Sequence, residues 1–97
     1  MARQFFIVLH MKIKGELQSI GKFDLGKDKQ NAYSLFQKLQ GNSDTDGSNV
    51  LFMELTEIHS NLPANIKLLS CTLDELSANC RTIVKELFRH NNLEALP

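Results

Sequence analysis

Two stretches of this chain alternate with a period of two, and both carry apolar residues on each of their faces. In residues 5–14, Phe5, Ile7, Leu9, Met11 and Ile13 fall on one side, and Phe6, Val8, His10, Lys12 and Lys14 on the other. From Val50 to Ile58, Leu51, Met53 and Leu55 share one side, while Val50, Phe52, Glu54 and Thr56 share the opposite one. A period of two is the signature of a β-strand, whose successive side chains point to opposite faces. Strands that are apolar on both faces belong at the centre of a sheet. A fold for this chain must therefore place these two strands centrally.

Each central strand has a weaker companion. Residues 17–25 carry Leu17, Ile20, Phe23 and Leu25, with Gly21 as a candidate bulge. Residues 65–71 carry Ile66, Leu68 and Leu69. Gly15 offers the first hairpin its turn, and His59–Ala64, with Asn61 and Pro63, reads as the loop of the second.

Two helices complete the pattern. Ala32, Leu35, Phe36 and Leu39 fall at i, i+3, i+4 and i+7, with Asp28 as the expected N-cap and Gly41 as the expected stop. Thr72-Leu73-Asp74-Glu75 is a capping box, in which Thr72 and Glu75 each satisfy a backbone N–H of the other. Cys71 and Leu76 occupy its staple positions. The stripe Leu73, Leu76, Cys80, Ile83, Val84 and Leu87 then runs to the end of the helix near His90.

The order is strand, strand, helix, twice over. Shifting the first half by 46 to 48 positions superimposes its apolar pattern on the second, which suggests pseudo-repeats over about 4–41 and 49–92 of a single domain spanning 1–97. The expected architecture is an α+β, two-layer ββαββα fold. Its four-stranded antiparallel sheet has order 2-1-3-4, with both helices on one face.

Charge excludes several functions. Eleven basic residues balance eleven acidic ones, so the net charge is zero. That argues against nucleic acid or a membrane surface as the partner. No apolar run approaches the roughly 18–20 residues of a membrane span. The stretch Phe5–Leu9 is too short for a secretory signal, and two cysteines without a signal suggest a cytoplasmic location.

Motifs for chemistry are sparse. Asn42, Asp44, Asp46 and Gly47 imitate the start of a calcium loop, but Met53 stands where the closing carboxylate belongs. His10, His59 and His90 are scattered over three elements, so no metal or cofactor is expected. Cys71, ahead of a helix N-terminus, is a better nucleophile candidate than Cys80 in the apolar stripe, yet no base accompanies it. Arg81, Lys85 and Arg89 share one side of the second helix, a face that reads as solvated and could also hold an acidic partner. No catalytic residue is assigned.

The informative feature is the second face of the sheet. If Ile7, Leu9, Leu51 and Met53 face the helices, then Phe6, Val8, Val50 and Phe52 face away. Contiguous apolar patches of this kind mark interaction surfaces. The leading expectation is a non-enzymatic protein that works by association, as a homodimer packed through this face. An alternative is cover by the C-terminal tail through Leu93 and Leu96. The rival functional class is a small-molecule-binding or catalytic domain, with a pocket at the sheet–helix or dimer seam. A third reading stacks single-stranded nucleic acid on Phe6 and Phe52 near Lys12 and Lys14, against which the zero net charge counts.

Overall fold

The computed structural model describes residues 3–44 and 49–92. Its elements are β1 (Arg3–Ile13), β2 (Glu16–Gly26), α1 (Lys29–Gln37), β3 (Leu51–His59), β4 (Leu62–Cys71) and α2 (Leu73–Asn92). The four strands form one antiparallel sheet in the order β2-β1-β3-β4. The strands most apolar on both faces are thus the central pair, as the alternation requires.

Both hairpins close in two residues with positive φ: Lys14 and Gly15 in the first, Ser60 and Asn61 in the second. Such turns match the natural twist of paired strands. The second hairpin is tighter than the expected loop over His59–Ala64. Leu62 already pairs with His59, and Pro63 lies within β4 opposite Ile58. Proline is tolerated there because β4 is an edge strand and its missing N–H costs no ladder bond on the open side. Near Gly21 the register slips as expected: Leu9 faces Gly21 and His10 faces Ser19, leaving Ile20 as the extra residue.

The helices begin where their caps predict. Asp28 Oδ1 accepts from the backbone N–H groups of Gln30 and Asn31 at 3.0 and 3.3 Å. Thr72 Oγ1 accepts from Glu75 N at 3.1 Å, and Glu75 Oε1 accepts from Thr72 N at 2.9 Å. The first helix ends before its expected stop. Gly41 lies beyond the C-cap Lys38, and a Cβ on it would stand 2.8 Å from the Ser70 carbonyl oxygen. Glycine is required there by the close approach of two backbones.

One core lies between the sheet and the helices. Phe5, Ile7, Leu25, Met53 and Leu55 of the sheet pack with Ala32, Leu35, Phe36 and Ile83 of the helices. Asn79 was absent from the expected stripe of α2, yet it is 1% exposed, whereas Leu73 and Val84 of that stripe are 67% and 55% exposed. Its amide explains the burial. Oδ1 accepts from Gln40 N at 2.7 Å, and Nδ2 donates to Gln40 O at 2.7 Å. Asn79 thereby completes the backbone bonding of the segment that leaves α1. No helix among the described residues is long and apolar enough to cross a membrane.

Candidate interaction surface

The ladders fix which side chains meet on the face turned away from the helices. Phe6 lies between Asp24 of β2 and Thr56 of β3, and Val8 between Lys22 and Glu54. His10 lies between Ser19 and Phe52, and Lys12 pairs with Leu17. On β4, Leu68 is opposite Glu54 and Ser70 is opposite Phe52. Val50 extends this alternation just before β3, and its carbonyl accepts from Lys12 N at 2.7 Å.

Phe6, Val8 and Phe52 are on this face by register, and Val50 continues the alternation, but their exposure differs. Val50 is 50% exposed, and Phe6 and Val8 are half-buried. Phe52 is only 3% exposed within the single chain. Its ladder neighbours are His10 and Ser70, and the Lys12 ammonium sits 5.8 Å from its ring centroid. Ser70 is itself held in place, because its hydroxyl donates to the carbonyls of Asn42 and Asp44 at 3.0 and 2.8 Å. Leu17, 48% exposed, and the half-buried Leu68 add apolar area that the expected set did not include. Only a register through the bulge at Ile20 and along β4 brings them to this face. Leu93 and Leu96, the tail residues considered as cover, lie outside the described residues.

Charge is arranged over the patch in an ordered way. Lys22 Nζ stands 4.7 Å from the Phe6 centroid, where an ammonium is attracted to the electron-rich ring face. Lysine stems also cover apolar surface while their charged ends stay wet. At the centre, His10 Nε2 and Glu54 Oε1 are 2.9 Å apart, with both side chains mostly buried. This pair satisfies two polar groups that would otherwise burden an apolar face.

The remaining candidates are dispersed. Cys71 is buried, and its thiol donates to Gln40 O at 3.6 Å. Burial, reinforced by the nearby Glu75 charge, pushes its pKa up from 9.0 to about 11. Desolvation is the largest cause of the shift, so the thiol expected as the better nucleophile candidate of the two is held protonated. Burial also raises the Cys80 thiol. In the acidic loop, the Asn42 side chain accepts from Asp44 N at 2.9 Å, and its backbone bridges Ser70. Met53, at the closing position, is fully buried in the core. Asp46 and Gly47 lie outside the described residues. Among the described residues, no three His, Cys, Asp or Glu side chains cluster as metal ligands would.

Concavities exist elsewhere. One of about 130 Å³ lies between α1 and α2, lined by Leu25, Asn31, Leu35, Lys38, Glu86 and His90. Lys38 and Glu86 form an ion pair at 3.1 Å across it. Its volume is below the roughly 300–1,000 Å³ of ordinary ligand pockets, whereas two more open concavities fall within that range: one of about 400 Å³ beside Phe36, Leu39, Lys67 and Leu69, and one of about 410 Å³ beside Gln4, Asp24, Asp28 and His90. Comparison of the chain with protein-family models, with curated proteins and with solved structures finds no match.

Proposed function

We propose that this protein acts by association, and that its open sheet face is the seat of a homodimer. The observation that carries this reading is the one-sided placement of the helices. Both pack against Phe5, Ile7, Met53 and Leu55, so among the described residues no helix lies over the opposite face. That face keeps Phe6, Val8, Leu17, Val50 and Leu68 incompletely buried.

A second copy suits this surface for a physical reason. A two-fold axis brings the same patch to itself, so apolar residues meet apolar residues without further design. Two sheets can pack face to face at about 10 Å. Each large apolar side chain withdrawn from water is worth roughly 1.5–3 kcal/mol. Lys12 and Lys22 would then flank the contact, and the His10–Glu54 pair would lie within it already satisfied. Phe52 contributes as a rigid floor, being already buried in one chain.

Replacing Phe6 and Val50 together with serine tests the reading. Sedimentation should give a dimer for the native chain and a monomer for the variant, with unchanged helical circular dichroism. A native monomer at high micromolar concentration would contradict it. Single-stranded nucleic acid on the same face is the competing occupant. It would show as oligonucleotide binding that weakens steeply with salt.

A further inference from the structure

A histidine and a glutamate meet inside the apolar patch of the sheet face. His10 Nε2 and Glu54 Oε1 lie 2.9 Å apart, and their side chains are 17% and 15% exposed. Val8 pairs with Glu54 and His10 with Phe52, so the two side chains meet diagonally across β1 and β3. Both strands are central, so the remaining exposure of the pair is on the side turned from the helices. The other charged groups of this face stand around it. On β1, Lys12 holds its ammonium 5.8 Å from the Phe52 centroid, and Lys14 lies in the turn. On β2, Lys22 stands 4.7 Å from the Phe6 centroid, and Asp24 accepts from Gln4 and from Gly26 N. Beside β4, the Asp44 carbonyl receives the Ser70 hydroxyl. Ser19 and Phe52, directly opposite His10, are uncharged. Among the described residues, His10 is the only ion-pair partner of Glu54.

We infer that the homodimer proposed for this face is proton-linked, with His10 as its switch; the inference rests on that reading. A neutral imidazole can donate Nε2–H to Glu54, so the hydrogen bond is made whether or not the ring is charged. What changes is the net charge. With His10 neutral, the pair carries the full negative charge of Glu54, and a second copy seals it between apolar surfaces. With His10 protonated, the same atoms form a neutral ion pair. Burying an uncompensated charge costs far more than burying a contact pair. A two-fold axis doubles the effect, because each copy brings its own Glu54 to the contact. Lys12 and Lys22 reduce this cost without cancelling it, since their ammonium ends sit over the Phe52 and Phe6 rings and not on Glu54. The dimer therefore binds the His10 proton more tightly than the monomer does. Association is strong below the ordinary histidine range, centred near about pH 6.5, and weakens as pH rises through it.

The test measures dimer dissociation of the full chain by sedimentation at about pH 6 and about pH 8. The native dimer should be weaker by about tenfold or more at the higher pH. His10→Gln keeps a donor toward Glu54 and cannot be charged, so its affinity should be equal at the two values. Glu54→Gln should reverse the sign, because protonating His10 then buries an unpaired cation. Dilution calorimetry on the native chain, in two buffers of different ionisation heat, should show protons released on dissociation at about pH 7. That measurement needs no variant and decides the matter if either variant fails to fold. Equal native affinity at both values, no proton release, or a pH dependence that survives in His10→Gln and so belongs to His59 or His90 would overturn the inference and leave the homodimer standing. A native chain that is monomeric at both values would overturn the homodimer and this inference with it.

Discussion

Asn79 shows how one polar residue can belong to a core. Its side-chain amide matches both backbone groups of Gln40, so burial leaves nothing unsatisfied. Replacement by alanine removes both bonds, strands the Gln40 N–H and leaves the Gln40 carbonyl only the weak Cys71 thiol donor. Unsatisfied buried groups cost about 1–3 kcal/mol, and urea melts of Asn79→Ala should show a loss of that order. Cys71, beside it, makes a pH-dependent prediction. Its folded pKa, raised to about 11, lies above the ordinary 9.0. The folded state thus holds the proton more tightly, and this contribution is intact below pH 9 and lost as pH rises toward 11. Cys71→Ala should therefore lose less stability than the native chain between pH 9 and 11, as thermal melts across that range would show. At pH 8 the native Cys71 thiol should resist alkylation.

At the scale of elements, local chemistry decides the boundaries. Removing the hydroxyl in Thr72→Ala takes away the acceptor for Glu75 N and should cost about 0.5–2 kcal/mol in a urea melt, the range for a lost N-cap. Much of this level is legible in the residue order. Alternation at Phe5–Ile13 and Leu51–Ile58 identifies the central strands, and apolarity on both faces ranks them inside the weaker pair. The capping signals of Asp28 and Thr72 locate both helix starts. What escapes such reading depends on partners distant in sequence. The inner side of α2 takes Asn79 because Gln40 waits across the interface, while Leu73 and Val84 turn outward. Gly41 imitates a helix stop, and its actual constraint comes from the Ser70 carbonyl. The second hairpin shortens because Ser60 and Asn61 accept positive φ and let Pro63 enter the edge of the sheet.

At the scale of the molecule, two helices on one face of a four-stranded sheet leave a layered structure whose other side carries no helix among the described residues. Which residues point to that side follows from alternation alone. How deeply each is covered does not, because Phe52 is enclosed by neighbours from β1 and β4 that only the ladder registers bring beside it. The edges of the sheet are poor sites for further pairing: β2 bulges at Ile20 and Leu25, and β4 carries Pro63 and a bridge to Asn42. The association proposed above is therefore placed on the face and not at an edge. The most direct test is an isotope-filtered nuclear Overhauser experiment on a mixture of labelled and unlabelled chains. The account predicts intermolecular contacts from Phe6, Val8 and Val50 to the same residues of the second copy. Intermolecular contacts confined to the helices or to a sheet edge, or none at all at millimolar concentration, would contradict it.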